Sequence, residues 1–229
     1  MLREILTVHQ DDISYGIPLL RLEPSCMLTF RDEMLNFFLS DNDAQRLAKQ
    51  SYLLSEFIMK YVNEDKLAKI DSKALLHFHC HHVSVLKTQD ETTLLEKMGV
   101  DFNALDSGCC GLAGSFGFEK NHHEIAMQSG ERVLLPAVRE QDKNTMILTN
   151  GFSCREQVQG TNRKAVHLAE LMHMAIKEEN YKSNGETPED YYQKNYGQEY
   201  KEISVVPALL ILVGAVAVIG FASLWNRNT

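Results

Sequence analysis

Short apolar segments of the kind that form buried strands alternate, through residues 1–177, with longer segments whose apolar residues recur every three to four positions. The strand-like segments are 17–20, 74–78, 102–105 and 145–149. The helix-like segments are 43–61, 91–98, 119–139 and 165–177, with Gly99 placed to end the second of them. Strands that alternate with helices favour a layered, Rossmann-like α/β fold built on a parallel sheet.

A different pattern occupies the C-terminal part of the chain. Residues 203–225 contain no charged side chain and are rich in Val, Leu, Ile and Ala, which matches the roughly 20 residues needed to span a bilayer. The sequence therefore predicts one C-terminal transmembrane helix. The lysines before it outnumber the single Arg227 after it, which favours a cytoplasmic position for the large domain. The polar stretch 178–202 between domain and helix is interpreted as a linker.

Charge and cysteine content narrow the classes of function. The formal net charge is -8, and no cluster of Lys or Arg is present, so binding to a nucleic acid is not expected. Glu4, Asp11 and Asp12 interrupt the stretch in which a signal peptide needs an apolar core. The 5 cysteines are an odd number in a chain without such a signal. They indicate a reducing compartment, where clustered thiols bind metal or do redox work more often than they form disulfides.

The positions of the cysteines in the sequence make them the candidate site residues. Cys26, Cys80, the adjacent Cys109 and Cys110, and Cys154 each lie between a strand-like segment and a helix-like segment. The carboxyl ends of parallel strands share one edge of a sheet, so we expect these thiols to converge there. The helix N-termini beside them are expected to lower the pKa of the thiols and to stabilise metal-binding thiolates.

The segment 106–117 carries the densest chemistry, because Cys109 and Cys110 lie among four glycines that include Gly108 and Gly111. Glycine permits positive φ and close approach of the backbone, so the loop can direct N–H groups at the sulfur atoms of a bulky inorganic ligand. A flexible turn is the alternative, but it gives no reason for two vicinal thiols.

Several motifs, in order along the chain, resemble the cysteine-rich CCG domain. They are Leu22-Glu23-Pro24-Ser25-Cys26, Phe30-Arg31-Asp32-Glu33, His77-Phe78-His79-Cys80-His81, the run from Gly108-Cys109-Cys110-Gly111 to Gly117, and Gly151-Phe152-Ser153-Cys154-Arg155. This domain occurs in iron–sulfur components of FAD-linked oxidoreductases, including those of the glycolate oxidase type, and in a component of heterodisulfide reductase. The resemblance covers roughly residues 1–175.

The resemblance implies a [4Fe–4S] cluster held by Cys80, Cys109, Cys110 and Cys154. Cys26 matches the end of a preceding motif whose other cysteines are absent, so the first repeat is incomplete and Cys26 is only a possible additional ligand. The family's role is electron transfer from a flavin domain, which oxidises a 2-hydroxy acid of the lactate, glycolate or 2-hydroxyglutarate type, towards an acceptor such as a membrane quinone. FAD is expected only on a partner chain or a missing domain, and this chain alone is expected to lack dehydrogenase turnover.

Polar residues beside the cysteines are candidates for tuning the site. His79 and His81, with His77 and His82 around them, are placed to hydrogen-bond cluster sulfurs or to relay protons; the alternative is a solvated strand end. Arg155 is placed to offset the negative charge of a thiolate-bound cluster, although a surface salt bridge would also explain it.

Three other functions remain open from the sequence. Four cysteines also suit a zinc–thiolate site in a membrane-tethered interaction module, although vicinal cysteines fit tetrahedral zinc poorly. A metal-free interaction module is the second alternative. The third is a thiol/disulfide redox protein resembling heterodisulfide reductase.

Overall fold

The computed structural model describes residues 1–177 and 185–197, and within it Met1–Asn195 form one compact unit. Its strands are β1 (Leu19–Arg21), β2 (Ser51–Leu53), β3 (Ser72–Leu76), β4 (Val100–Ala104) and β5 (Met146–Leu148). All strand pairs are parallel. They form two sheets, one of order β1-β2 and one of order β4-β3-β5, where the sequence predicted a single sheet. The α/β class with parallel strands is confirmed.

Helices surround both sheets. They are α1 (Leu2–Val8), α2 (Gln10–Ser14), α3 (Pro24–Leu28), α4 (Met34–Phe37), α5 (Asn42–Lys49), α6 (Leu54–Tyr61), α7 (Gln89–Met98), α8 (His123–Gly130), α9 (Leu134–Arg139), α10 (Phe152–Gln159), α11 (Leu168–Lys177) and α12 (Pro188–Tyr196). Gly99 ends α7 in the left-handed conformation, as its sequence position predicted.

Strand β3 lies at the centre of the larger sheet and sets the position of the functional segments. Leu76, its last residue, is in register with Ala104 of β4 and with Leu148 of β5. The three strands therefore end at one edge. The segments that carry Cys80, the pair Cys109–Cys110 and Cys154 all leave the sheet from that edge, as the sequence predicted.

The two faces of this sheet bury separate apolar clusters because successive side chains of a strand point to opposite faces. Leu76 and Leu148 pack in the cluster that contains α7 and α11. Leu75 and Ile147 pack on the other face with residues of α9 and α10, and this second cluster also contains Cys110 and Cys154. Two of the candidate cysteines are thus anchored in the hydrophobic core.

The predicted helix 43–61 was wrong in its middle, where strand β2 separates α5 from α6. The side chain of Ser51 donates a hydrogen bond to the carbonyl of Leu47, and the Glu56 carboxylate accepts one from the N–H of Leu53. These local bonds end one helix and start the next. The predicted helix 119–139 also divides, into α8 and α9, and Pro136 is accommodated in the first turn of α9.

The polar segment predicted as a linker contains α12, which is attached to the domain. The Arg163 guanidinium forms a salt bridge with the buried carboxylate of Glu189, and Tyr191 and Tyr192 pack against the core cluster of α7 and α11. None of the helices formed by residues 1–177 and 185–197 has both the length and the apolar character needed to cross a membrane. The transmembrane helix predicted for residues 203–225 lies outside the described residues.

Candidate metal centre

Four of the five cysteines meet in a continuous series of contacts, which we call the thiol row. The thiol of Cys80 neighbours that of Cys109, Cys109 neighbours Cys110, and Cys110 neighbours Cys154, so that each thiol alters the pKa of the next. Residues 74 positions apart in the sequence are therefore joined through three thiol–thiol contacts. All five cysteines are free of disulfides.

The two ends of the thiol row differ in their exposure to solvent. Cys110 and Cys154 are 3% and 1% exposed, whereas Cys80 and Cys109 are only partly buried. A cavity of about 350 Å³ adjoins Cys80 and Cys109, and Phe78, Val83 and Leu105 contribute to its largely apolar lining. The row thus runs from this cavity into the hydrophobic core.

Glycines allow the backbone to approach the sulfur atoms. Gly111 has φ +101°, and its N–H donates a hydrogen bond of 3.3 Å to Cys109 Sγ. A Cβ at Gly151 would lie 3.0 Å from Cys154 Sγ and 2.4 Å from His79 Cδ2. Gly108 also has positive φ but faces open space. The glycine-rich loop was predicted to direct N–H groups at sulfur, and Gly111 does so.

The pKa values of the thiols run against the expectation from helix N-termini. Burial, followed by the neighbouring Cys109, raises the pKa of Cys80, and the hydrogen bond with Cys110, followed by burial, raises that of Cys109. For Cys110 the Cys109 thiol lowers the pKa, but Cys154 and burial outweigh it and raise the pKa to about 12. The expected lowering was wrong because thiols crowd one another here, so metal binding must release protons from them.

The histidines lie around the thiol row without side-chain hydrogen bonds to sulfur among the described contacts. Strand β3 ends before His77, so these residues follow the strand and do not form part of it. His77 Nδ1 is 2.6 Å from Ser107 Oγ, and His79 Nε2 is 3.3 Å from Ser25 Oγ. The backbone N–H of His81 donates a hydrogen bond of 3.2 Å to His79 Nδ1.

Cys26 lies outside the thiol row. It is exposed, and its pKa is raised by burial of part of the thiol and by the charge of Glu23. Its neighbour Ser25 contacts His79, which places the start of α3 near the site but not its thiol in the row. Arg155 has a buried Nε without a hydrogen-bond partner and lines a separate cavity with Lys164. Its predicted charge-balancing role stays a prediction.

The donor chemistry of the thiol row fits an iron–sulfur cluster. Its four thiols supply the Cys₄ set that [4Fe–4S] clusters use, and the close backbone at Gly111 and Gly151 leaves sulfur unobstructed by a Cβ. Across the described ranges 1–177 and 185–197, no three His, Cys, Asp or Glu side chains are grouped so as to hold a metal ion as they stand. The thiols form a row rather than a cage, so a cluster requires them to separate.

Sequence reasoning missed two buried polar residues next to the site. Glu91 is 1% exposed, and Asn150 donates a hydrogen bond of 2.7 Å to its Oε2. The sequence places Glu91 only in a helix, and Asn150 directly follows the strand-like segment 145–149 without an assignment of its own. The sequence signal that could have identified Asn150 is its position as a polar residue directly between an apolar strand and the Gly151 turn.

Three buried groups with large pKa shifts contribute to the pH dependence of stability in the iron-free chain. Burial lowers the pKa of His77 and of His82 from 6.5 to about 4, and burial raises that of Glu91 from 4.5 to about 8. Between about pH 4.5 and 6.5 the unfolded chain binds two more protons at the histidines and one fewer at Glu91, so stability rises with pH. From about pH 6.5 to 8 only Glu91 contributes, and stability falls.

Each net proton changes the free energy of unfolding by about 1.4 kcal/mol per pH unit. We therefore expect these three groups to give a stability maximum near pH 6.5, measurable by urea unfolding of the iron-free chain near pH 5, 6.5 and 8. In Glu91→Gln the decline above pH 6.5 should disappear. A wild-type curve that keeps rising to pH 8 would contradict the assignment.

Comparison with known proteins finds distant relatives and neither a matching family model nor a matching solved structure. The C component of the anaerobic glycerol-3-phosphate dehydrogenase of Escherichia coli (strain K12) is 26% identical over 168 residues, which cover 70% of this chain and 41% of the relative. D-2-hydroxyglutarate dehydrogenase of the same strain is 26% identical over 146 residues, 62% of this chain and 14% of the relative.

Lactate utilization protein A of Bacillus subtilis (strain 168) is 28% identical over 166 residues, which cover 65% of this chain and 66% of the relative. The chain thus spans less than half the length of the two dehydrogenase relatives. The relatives are named for the dehydrogenation of glycerol-3-phosphate or 2-hydroxyglutarate and for the use of lactate. This chain is therefore related in sequence to oxidoreductase components, in agreement with the resemblance found from its motifs.

Proposed function

We propose that this chain is an iron–sulfur electron-transfer component of an FAD-linked oxidoreductase that acts on a 2-hydroxy acid or a similar small hydroxylated substrate. The thiol row carries the proposal. Thiols from three strand ends make mutual contacts at one edge of the sheet, although they stand up to 74 positions apart in the sequence. A packing role alone gives no reason to gather four thiols there.

In this proposal Cys80, Cys109, Cys110 and Cys154 hold a [4Fe–4S] cluster, which supplies one-electron transfer when it is bound. The N–H of Gly111 supports the Cys109 sulfur, and burial of Cys110 and Cys154 keeps water from the inner end of the site. Hydrogen bonds to sulfur and exclusion of solvent are two factors that set the potential of such clusters.

A flavin-containing dehydrogenase, as a separate chain or as a domain of a longer polypeptide, is the proposed electron donor. The names of the relatives support a dehydrogenase partner, because one is a dehydrogenase subunit and another a dehydrogenase, and this chain matches only 41% and 14% of their lengths. The apolar segment 203–225 supports the proposal of a membrane anchor with the domain on the cytoplasmic side, and hence of a quinone as the acceptor.

The raised pKa values in the thiol row count against the alternative of thiol–disulfide catalysis. The attacking species in that chemistry is a thiolate, and at neutral pH Cys110, whose pKa is about 12, is almost entirely protonated. Metal content separates the remaining alternatives, since zinc without colour would indicate a zinc–thiolate module and neither metal nor colour a metal-free one.

The test is anaerobic purification, or reconstitution with iron and sulfide, of the full chain. We expect about four irons and four sulfides per chain, together with the broad visible absorption of an iron–sulfur cluster that bleaches on reduction. Reduction by a flavin dehydrogenase in the presence of a 2-hydroxy acid would then establish the proposed direction of electron flow. A colourless chain that takes up no iron would overturn the proposal.

A further inference from the structure

A buried polar cluster made of Glu91, His82 and Asn150 joins the segments that carry Cys80 and Cys154. Glu91 belongs to the first turn of α7, His82 follows Cys80 by two residues, and Asn150 precedes Cys154 by four. Glu91 and His82 are each 1% exposed, and Asn150 is 9% exposed. None of the three is a proposed ligand of the site.

Contacts within this cluster join the two segments that leave β3 and β5. Asn150 Nδ2 donates a hydrogen bond of 2.7 Å to Glu91 Oε2, and the same oxygen lies 3.7 Å from His82 Nδ1. The side-chain oxygen of Asn150 accepts a hydrogen bond of 2.9 Å from the N–H of Leu168, the first residue of α11. Glu91 therefore stands between the segment of Cys80 and the segment of Cys154.

Two polar atoms of the cluster cost the fold stability. Glu91 Oε1 and His82 Nε2 are buried without a hydrogen-bond partner. A buried polar atom that lacks a partner costs roughly 1–3 kcal/mol, so an apolar side chain of similar size at position 91 would serve the stability of the core at least as well. A carboxyl group at this place needs an explanation other than packing.

We propose that Glu91 is a positioning residue of the thiol site, which fixes the separation of the Cys80 and Cys154 segments through His82 and Asn150 and thereby governs how tightly the site holds iron. The effect on iron binding rests on the function proposed above, whereas the effect on the separation of the two segments does not. Residues that orient metal ligands from behind change metal affinity by about 10- to 100-fold when they are replaced.

The experiment compares Glu91→Leu, which matches the size but removes both oxygens, with Glu91→Gln, which keeps an acceptor for Asn150. The first measurement uses the iron-free chain, in which alkylation of Cys80 and Cys154 is followed by mass spectrometry. We expect Glu91→Leu to be alkylated about tenfold faster at both thiols, with a free energy of unfolding no lower than that of wild type, and Glu91→Gln to stay within about twofold.

The second measurement is retention of iron against a chelator after reconstitution. Glu91→Leu should lose iron about tenfold faster than wild type and Glu91→Gln at nearly the wild-type rate. Glu189→Gln is the matched control, because Glu189 is also a buried carboxylate in the first turn of a helix but pairs with Arg163 away from His82. This control should lose stability without a change at the thiols.

The outcomes separate the two proposals. Faster alkylation in Glu91→Leu in a chain that never binds iron would support the positioning role and refute the iron–sulfur function. Equal alkylation in wild type and Glu91→Leu, or equal effects of the Leu and Gln variants, would overturn the positioning role whatever the metal content. If Glu91→Leu does not fold, Asn150→Asp keeps the oxygen that accepts from Leu168 N–H but removes the amide donor to Glu91, and its alkylation decides the question.

Discussion

Replacement of Cys109 by serine is expected to abolish retention of iron. Cys109 stands inside the thiol row, where it contacts both Cys80 and Cys110 and receives the N–H of Gly111. Serine keeps the size but loses the soft sulfur donor that iron–sulfur clusters require. After reconstitution we expect iron to fall from about four per chain to near zero, with loss of the visible absorption and of electron transfer to an acceptor.

Cys26→Ser is the matched control for this substitution. Cys26 is an exposed cysteine that has no contact with the thiol row among the described contacts, so its replacement should leave iron content near the wild-type value. Circular dichroism should show both variants folded. Unchanged iron in Cys109→Ser would remove Cys109 from the ligand set, and equal losses in both variants would require Cys26 to be a ligand as well.

Replacement of Gly111 by alanine is expected to have the largest effect on the fold. The new Cβ would lie 2.1 Å from the carbonyl oxygen of Ala126, and φ at this position is +101°. The new methyl group would clash with backbone atoms of α8. Relief of this clash would require movement of either the glycine-rich loop or the helix. Strain of this kind costs roughly 1–3 kcal/mol from the dihedral angle alone, and the clash adds to it.

The measurement is urea unfolding, in which Gly111→Ala should lose at least about 3 kcal/mol or fail to fold. Gly108→Ala provides the control, because Gly108 lies in the same loop with φ +64° but meets no atom within 4 Å. It should lose only about 1–2 kcal/mol, the usual cost of a left-handed conformation for a residue with a Cβ. Equal losses in the two variants would mean that the close contact with α8 is absent in solution.

Much of the fold follows from the sequence because its signals are local. The apolar segments that become β3 and β5 are buried on both faces of the sheet. Gly99 ends α7 because glycine readily adopts the left-handed conformation that terminates a helix. Strand β2 was missed because its three residues carry no alternating pattern. What makes it a strand is its parallel pairing with β1, a contact between residues 32 positions apart.

The candidate site likewise has features that the sequence could predict and features that it could not. Convergence of Cys80, Cys109, Cys110 and Cys154 could be predicted because it depends only on parallel topology, but the same prediction was wrong for Cys26, which follows a strand of the other sheet. The direction of the thiol pKa shifts could not, because the neighbours of Cys109 and Cys110 in space outweigh the local effect of a helix terminus. Glu91 and Asn150 were missed for a related reason, since their significance comes from a contact across 59 positions.

The gradient of burial along the four thiols has a consequence for damage and repair. Small oxidants, alkylating reagents and chelators in the surrounding water all reach the assembly from the Cys80 and Cys109 side, while Cys110 and Cys154 lie in the hydrophobic core. Chemical attack is therefore ordered, and the outer pair is modified before the inner pair. A lightly oxidised protein is therefore expected to keep its inner half intact, and iron and sulfide that build the proposed cluster would enter from the side of Cys80 and Cys109.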